Sequence, residues 1–477
     1  MSEATMSDLM FTPVTELAQK VRSGELSARE LVETSLGRIE ELNPSLNAFV
    51  EVFADRALEE ADAITPGDDR PLAGVPVAIK NNRSVSGGLL TFAAEFMGDH
   101  RSDYDHNVVT RLRRAGAIVV GTTTLPEWGI LPWTNTRRFG ATRNPWDPTR
   151  TSGGSSGGSA TAVASGMVPL AHANDGGGST RIPAACCGLV GLKPQRNRIS
   201  QAPDAADSDL AIDGVLTRTV AETAMVLDLL EGYELGDANW APPPAEPFAA
   251  QAAREPKALR IALTSYSPIE EADVDPVAAQ SVRDAGALLE GLGHHVEEVQ
   301  PPWRMPGLAE QFTAMFGPLV SLQVTLAQML VGREPTERDM EPLSWAILSL
   351  SRQMSAMDTH GARAMLQIFA RSLIRWSAQY DAILTPGLAQ APLLLDSVAP
   401  ETDDPMGLFR RSGHFTPFTP GVNITGQPAI ALPLYQREDG LPLAVQLIGR
   451  PAGEGELLAL AAQIETAAPW ADRRPGV

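Results

Sequence analysis

Seven short apolar runs, separated by segments with helical periodicity, constrain the fold of this sequence more than any other feature. Each run is six or seven residues long and rich in aliphatic residues, which is typical of strands buried on both faces. Strands that alternate with helices predict an α/β fold, in which a large mixed β-sheet is covered by helices on both faces. The predicted strands are 75–80, 117–123, 167–173, 259–265, 380–386, 429–435 and 443–449.

The whole chain, residues 1–477, is predicted to be one domain around this sheet. A proline-rich segment, "LGDANWAPPPAEPFAAQAAREP", favours an extended crossover on the surface that joins two parts of the sheet. A stretch rich in Met, Leu, Phe and Trp should form a helical insert. Its large side chains, Met315 and Met329 among them, pack in the core or line an apolar substrate pocket. The predicted divisions are N-terminal helices at 1–70, a first part of the core at 71–234, the crossover at 235–256, and a second part at 257–477 with the insert at about 303–375.

The sequence predicts where one helix of the N-terminal region begins and where it ends. Ser27 and Glu30 form a capping-box pattern ahead of apolar residues at helical spacing, so the helix should begin near residue 28. The Asn43-Pro44 pair should end it, because the residue before a proline disfavours helical backbone angles.

Charge excludes two classes of partner. Acidic residues outnumber basic residues by 58 to 38, which gives a formal net charge of −20. Such a chain repels phosphate backbones and anionic lipids, and it has no basic run interleaved with aromatic residues. We therefore expect neither nucleic acid nor a membrane as a partner. No stretch approaches eighteen uninterrupted apolar residues and the first residues do not resemble a signal peptide, so we expect a cytoplasmic location.

The two cysteines, Cys186 and Cys187, are adjacent in sequence. Adjacent cysteines fit neither a disulfide framework nor the ligand spacing of a structural zinc site. We therefore expect a pair of buried thiols, and the sequence predicts no metal ion and no cofactor.

The stretch "TSGGSSGGSA" at 151–160 has four serines and four glycines in ten residues, which suits either a flexible linker or a catalytic loop. A phosphate-binding P-loop is excluded, because no Lys-Ser or Lys-Thr pair follows the glycines. A nucleophile elbow is disfavoured, because a loop with two prolines precedes the serines. None of the seven histidines has a recognisable triad context, so a serine nucleophile would need another base, such as a lysine.

Two further segments contain groups that such a site requires. Lys80 is the last residue of a predicted buried strand. Its amine either reaches solvent or is desolvated and acts as a base. Three consecutive glycines, Gly176, Gly177 and Gly178, follow another predicted strand and precede Ser179. Their backbone N–H groups could converge on one anion, although a turn of this kind taken alone is more often an ordinary loop.

Taken together, "GVPVAIKNN", "TSGGSSGGSA" and "NDGGGSTRIPAACCGLVGLKP", in this order and spacing, resemble the signature of the amidase signature family. The resemblance implies a triad in which Ser179 is the nucleophile and Lys80 is the base. Ser155 would bridge them, and the peptide bond that precedes it would be cis.

The resemblance also implies the surroundings of the nucleophile. Backbone N–H groups of the loop that ends at Ser179 would form an oxyanion hole. The side chains of Asp175 and Arg181 would orient this loop, unless they form an ordinary surface ion pair. The residues implied are Gly176, Gly177, Gly178 and Ser179 for the oxyanion hole and Asp175, Arg181 and Ser156 as supporting residues.

Three positions depart from the usual pattern of the family. Gly176 stands where a residue with a side chain is more common, and Thr180 where an aliphatic residue is usual. Asn81 replaces an acidic residue that often follows the lysine. The first two differences predict a looser oxyanion hole or room for a bulkier acyl group.

The segments "GATRNPWDPTR" and "NITGQPAIALPL" are similar to the bacterial branch of aminohexanoate cyclic-dimer hydrolases and urethanases. The resemblance implies a serine hydrolase that cleaves C–N bonds of small-molecule amides, and also carbamates and esters, through an acyl-enzyme. It implies no cofactor, and a homodimer is a usual assembly of such relatives. Two alternatives stay open: the glutamine-hydrolysing A subunit of a tRNA-dependent amidotransferase, and a non-catalytic relative that only binds a ligand.

Overall fold

The computed structural model describes residues 8–204 and 208–476, and a mixed sheet of eleven strands lies at its centre. Two further pairs of short strands, β4 with β5 and β6 with β7, form small separate sheets. In chain order the strands are β1 (Phe49–Val52), β2 (Pro76–Lys80), β3 (Ile118–Thr123), β4 (Asn135–Thr136), β5 (Gly140–Ala141), β6 (Arg143–Asn144), β7 (Asp147–Thr151), β8 (Leu170–Asp175), β9 (Val190–Lys193), β10 (Ile212–Thr217), β11 (Arg260–Leu263), β12 (His295–Glu298), β13 (Ala382–Pro386), β14 (Ala429–Gln436) and β15 (Pro442–Gly449).

The large sheet has the order β1-β3-β2-β8-β10-β9-β14-β15-β13-β11-β12, so strands from both sides of the proline-rich segment belong to it. Strand β2 is parallel to both of its neighbours, β3 and β8, and β11 is parallel to β12 and β13. The other neighbouring strands are antiparallel. The predicted mixed α/β fold is therefore confirmed, and each of the seven predicted strands lies in the sheet.

Four strands of the sheet have no clear signal in the sequence. Three of them, β1, β9 and β12, are only four residues long. The fourth, β10, contains Asp213, which is fully buried. A buried carboxylate inside an apolar run interrupts the pattern that marks a core strand.

Helices cover both faces of the sheet and complete its core with their apolar sides. The α-helices are α1 (Val14–Ser23), α2 (Ala28–Leu46), α3 (Ala54–Asp62), α4 (Asn107–Arg114), α5 (Gly157–Ala164), α6 (Arg181–Cys187), α7 (Val220–Leu230), α8 (Phe248–Ala252), α9 (Pro276–Gly291), α10 (Leu308–Val331), α11 (Pro342–Gln353), α12 (Ala356–Ser377), α13 (Pro405–Phe415), α14 (Pro420–Thr425) and α15 (Glu454–Ala467).

Helix α2 begins at the expected capping box, in which Ser27 and Glu30 cap each other's backbone N–H groups. The expectation that it ends at Asn43-Pro44 is wrong, because the helix continues to Leu46. The side chain of Asn43 caps this end of the helix. Its Oδ1 accepts hydrogen bonds from the N–H groups of Ala48 and Phe49 at 2.8 and 2.9 Å. A proline in the last turn removes few helical hydrogen bonds, which is why it is tolerated there. Residues 1–7 of the predicted N-terminal region lie outside the described residues.

In the region of the predicted insert, helix α10 packs against both α11 and α12. Met315 is buried among them, but the expectation of core packing fails for Met329, which is 78% exposed. Within the described part of the chain, α10 is the one helix that is long and apolar enough to cross a membrane. Of its most apolar stretch of 18 residues, 28% is buried in the fold.

A pair of buried carboxyl groups joins this helical region to the turn that follows β3. Glu341, the residue before α11, donates its backbone N–H to Glu127 Oε2 at 2.9 Å, and its own Oε1 accepts from the N–H of Arg137 at 2.9 Å. Burial raises the pKa of Glu127 to about 7. Burial, together with the neighbouring charge of Glu127, raises the pKa of Glu341 to about 8. The charge of Arg137 opposes both shifts, whereas Glu95 adds to the rise in the pKa of Glu127 and Glu401 adds to the rise in the pKa of Glu341.

We expect this pair to make the protein less stable as the pH rises. The folded chain holds protons that the unfolded chain releases near pH ~4.3, so the free energy of unfolding should fall as the pH rises from about 5 to about 9. Glu341→Gln keeps the hydrogen-bond acceptor and removes one titration. It should reduce the difference between the urea midpoints at pH 6 and pH 9, whereas Glu310→Gln, on an exposed carboxylate of α10, should not. An unchanged difference in Glu341→Gln would refute this assignment.

Candidate active site

The glycine- and serine-rich segment at 151–160 is fully buried and does not connect domains as a linker would. At its four glycines, the backbone lies so close to neighbouring atoms that a side chain would not fit. A Cβ added to Gly154 would lie 2.6 Å from both Leu131 O and Trp133 N. Gly153 has a φ of +80°, which a residue with a side chain rarely adopts. The segment is therefore a tightly packed entry to α5.

This segment brings Ser155 to the end of β2. The Nζ atom of Lys80, the last residue of that strand, lies 2.7 Å from Ser155 Oγ. Both side chains are buried, with Lys80 0% and Ser155 2% exposed. The peptide bond between Gly154 and Ser155 is cis, as the resemblance implies. The lysine therefore does not reach solvent, and its amine contacts a serine hydroxyl that lies 75 residues further along the chain.

The surroundings of Lys80 favour an uncharged amine. Burial lowers the pKa of Lys80 well below its usual value, and the positive charge of Arg83 lowers it further. The carboxylates of Asp175 and Asp213 act in the opposite direction but do not cancel the burial. Since a neutral amine has a free electron pair, it can accept a proton from a hydroxyl at hydrogen-bond distance.

Asn174, on the neighbouring strand β8, fixes the orientation of this amine. Its Oδ1 accepts a hydrogen bond from Lys80 Nζ at 2.7 Å, and its Nδ2 donates to Asn82 Oδ1 at 3.0 Å. The second bond determines which end of the amide faces the lysine. With an N–H of the amine directed to Asn174, the lone pair is free to face Ser155.

The nearby histidine does not supply a base for the serines. His172 Nδ1 accepts the backbone N–H of Lys80 at 3.3 Å, and its Nε2 lies 3.2 Å from Asp213 Oδ1. Asp213, which is fully buried, also forms an ion pair at 3.0 Å with the partly buried Arg83. Both ring nitrogens are thus engaged, and this network holds β2, β8 and β10 in place behind Lys80.

Ser179 lies in the loop that joins β8 to α6. It is half-buried, and its carbonyl accepts the N–H of Ser156 at 3.2 Å, which ties this loop to the segment that contains Ser155. Within residues 8–204 and 208–476, no group forms a hydrogen bond with the Ser179 hydroxyl. Ser156 also exchanges hydrogen bonds with the backbone of Asn174 at 3.3 and 3.4 Å. The structure therefore brings together the three segments that the sequence analysis selects.

The backbone N–H groups of the Ser179 loop are not all equally available. Gly178 N donates to Asp175 Oδ1 at 2.7 Å, while Gly177 O accepts from Thr419 Oγ1 at 2.7 Å. The peptide between these glycines is thus held on both sides, so the expectation that Gly178 offers a free N–H needs correction. Among the described residues, the N–H groups of Gly176, Gly177 and Ser179 have no partner and remain available to an anion.

Asp175 and Arg181 form a buried ion pair at 2.9 Å, with about 1% of each side chain exposed, and not a surface pair. The arginine is held further by Asn423 Oδ1 at 2.6 Å and by Gln446 Oε1 at 2.7 Å. Arg181 keeps the pKa of Asp175 below its ordinary range although burial acts to raise it. An ionised Asp175 can therefore hold the N–H groups of Gly178 and Thr180 at neutral pH.

Several of these partners are absent from the sequence analysis, namely Asn174, His172, Asp213, Thr419, Asn423 and Gln446. A weak signal exists for some of them, because a polar residue inside a buried strand, such as Gln446 in "LAVQLIG", needs a buried partner. Their partners come from distant parts of the chain and cannot be assigned from spacing alone.

The described residues contain no group of three or more His, Cys, Asp or Glu side chains that could hold a metal ion. Cys186 and Cys187 are free and buried, and burial raises the pKa of both thiols.

Known proteins are similar to this chain over nearly its whole length. The sequence profile of the Amidase family matches residues 30–458. The 6-aminohexanoate-cyclic-dimer hydrolase of Paenarthrobacter ureafaciens is 35% identical over 480 residues, which cover 98% of this chain and 97% of that protein. The putative amidase AmiB2 of Mycobacterium tuberculosis is 38% identical over 488 residues, which cover 99% of each chain. The structure of 6-aminohexanoate cyclic dimer hydrolase complexed with substrate matches with a TM-score of 0.92 at 33% identity, over 98% of this chain and 99% of that one.

Proposed function

The chain belongs to the amidase family, and on that basis we propose that it is a serine hydrolase that cleaves C–N amide bonds of small molecules through an acyl-enzyme on Ser179. The observation that carries this proposal is the 2.7 Å contact between the buried Lys80 amine and the Ser155 hydroxyl. A desolvated lysine beside a serine is one arrangement that serves a hydrolase without a catalytic histidine.

In the proposed mechanism, protons move along one line of three groups. The neutral amine of Lys80 takes the proton of the Ser155 hydroxyl, and Ser155 takes the proton of Ser179. The Ser179 oxygen then attacks the carbonyl carbon of the substrate. Asn174 Oδ1 keeps the lysine lone pair on Ser155, and the positive charge formed on Lys80 is favoured by Asp175 and Asp213.

The attack places a negative charge on the carbonyl oxygen. We assign its stabilisation to the N–H groups of Gly176, Gly177 and Ser179, since that of Gly178 is engaged by Asp175. The C–N bond then breaks as Ser155 returns the proton to the leaving nitrogen and recovers one from Lys80. Water attacks the acyl-enzyme by the same route, which releases the acid and restores Ser179.

This mechanism extends to carbamates and esters, because both present a carbonyl to the same nucleophile. An amide nitrogen must be protonated before it leaves, whereas an alkoxide or phenoxide leaving group depends on this step less. The proposed enzyme therefore accepts carbamates and esters as additional substrates, and the relatives that act on a cyclic amide dimer support an amide as its natural substrate.

A hydrolysis panel tests the proposed function. We expect the purified chain to hydrolyse anilides, linear and cyclic aminohexanoate amides, carbamates or p-nitrophenyl esters without a partner protein. Each activity should disappear in Ser179→Ala. Glutamine as the only good substrate, together with a requirement for partner subunits, would instead favour the amidotransferase alternative. Binding of these amides without any turnover would favour the non-catalytic alternative.

A further inference from the structure

In the part of the chain that the structure describes, three residues of the proposed nucleophile's loop are partly exposed and can be reached by a substrate. Three residues of the segment 170–187, which runs from β8 to the end of α6, are half-buried: Gly176, Gly177 and Ser179. All other residues of this segment are buried. The same three residues carry the unpaired N–H groups. A carbonyl bound by these N–H groups would lie against the two glycines, so side chains beside the glycines are placed to contact the rest of the substrate.

Phe312 of α10 is the side chain that lies over Gly177. A Cβ added to this glycine would be 3.6 Å from Phe312 Cζ, which is ordinary van der Waals contact. Beside Gly176, the first neighbour of an added Cβ would be the small side chain of Ala211, at 3.8 Å. The loop is therefore bordered by a phenyl edge at Gly177 and by a methyl group at Gly176.

The position of the Phe312 ring is fixed by its neighbours. It stacks on Phe316 with a centroid distance of 5.5 Å and an angle of 13° between the ring planes, and Phe316 in turn stacks on Phe409 at 6.1 Å. Phe312 is only half-buried, so part of its ring surface stays available to a ligand. Its Cζ edge points toward the loop, and the edge of a phenyl ring carries the partial positive charge that the face of another aromatic ring attracts.

We propose that Phe312 is a specificity-determining residue and that the preferred substrates carry an aromatic group next to the scissile carbonyl, held edge-to-face by the Phe312 ring. This inference rests on the proposed function, because it places the carbonyl at the Ser179 loop. It narrows the substrate class from small amides in general to amides with an aryl group on the acyl side or on the amine side. Because Gly176 has no side chain, and a Cβ added to it would meet only Ala211 Cβ within 4 Å among the described residues, the loop leaves room for this ring.

The test uses two matched pairs of substrates, one for each side of the carbonyl. On the acyl side, N-butylbenzamide is compared with N-butylcyclohexanecarboxamide. On the amine side, acetanilide is compared with N-cyclohexylacetamide. The ratio of kcat/KM within each pair is measured for the parent chain and for Phe312→Leu, which keeps an apolar side chain and removes the ring. For each pair, the ratio of the parent chain is divided by the ratio of Phe312→Leu. This division cancels the difference in intrinsic reactivity between the two amides.

We expect Phe312→Leu to lower the aryl preference about threefold to tenfold in one of the two pairs, which is the range measured for aromatic pairs beyond their buried area. The pair that responds identifies the side on which the ring binds. Phe53→Leu, on a half-buried phenylalanine at the outer edge of the sheet, should change neither ratio. Unchanged ratios in both pairs for Phe312→Leu would overturn the inference.

The two proposals can fail separately. Amide hydrolysis that persists in Ser179→Ala would refute the proposed function, whatever the result for Phe312. Hydrolysis that depends on Ser179 but shows no change of preference in Phe312→Leu would refute only the aromatic specificity. If turnover is too slow to measure, calorimetry of the same four amides binding to Ser179→Ala, with and without Phe312→Leu, gives the corresponding ratios of binding affinity. Equal changes of affinity within both pairs would then overturn the inference.

Discussion

Replacing Ser179 with alanine is expected to lower kcat/KM for amides by at least about 10⁴-fold, because the atom that attacks the carbonyl is lost. The fold of the loop should survive, since Asp175, Thr419 and Arg181 hold it through groups other than the Ser179 hydroxyl. Initial rates with an anilide and an ester measure the effect. Ser281→Ala, which removes a buried hydroxyl bonded only within α9, is the matched control and should keep full activity.

A covalent probe gives an independent measure of the same role. A fluorophosphonate should label the parent chain on one peptide that contains Ser179, and Ser179→Ala should not be labelled. Turnover or labelling that persists in Ser179→Ala at the level of the control would place the nucleophile elsewhere.

Replacing Lys80 with methionine is the second large effect, and we expect a loss of about 10³-fold in kcat/KM for anilides. Methionine fills a similar space and is suited to a buried site, so the loss should come from the missing base and not from unfolding. The loss should be smaller for a p-nitrophenyl ester, because that leaving group needs no proton. Lys257→Met, on an exposed lysine, is the matched control.

The same substitution should change the pH profile. Since only the neutral amine is a base, kcat/KM of the parent chain should rise with pH through the lowered pKa of Lys80 and then level off. In Lys80→Met the remaining activity should not show this rise. An anilide rate and a pH profile equal to those of Lys257→Met would remove Lys80 from the mechanism.

The sequence is sufficient to predict the parts of this molecule that repeat a local pattern. The seven core strands follow from apolar runs, and the start of α2 follows from its capping box. The end of α2 does not, because the local preference of the residue before Pro44 is overridden by the Asn43 cap. Short strands such as β12 are fixed by pairing with their neighbours, which no run of four residues can specify alone.

For the site, the sequence identifies the segments with Lys80, Ser155 and Ser179 but not the contacts that tune them. Asn174 can orient the lysine only because of the register in which β8 pairs with β2. The placement of Phe312 depends on how α10 packs over a loop that lies more than 130 residues earlier in the chain. The hydrogen bond from Gly178 N–H to Asp175 depends on the orientation of a single peptide plane. The amino-acid composition cannot determine this orientation.

The proposed mechanism depends most on the Lys80 amine being uncharged in the resting protein. The chain has only four lysines, at positions 20, 80, 193 and 257, so labelling with lysine that carries ¹³C at Cε gives a simple spectrum. Lys193 is the other buried one, and burial lowers its pKa to about 7. Following the four signals as the pH is raised reports each amine directly, and Lys80→Met assigns the signal of Lys80.

The predicted result is that two signals titrate far below the ordinary lysine pKa of ~10.4, and that one of these two disappears in Lys80→Met. A Lys80 signal that titrates near ~10.4 would mean that the amine is protonated at neutral pH. It could not then accept a proton from Ser155, and the proposed mechanism would be contradicted.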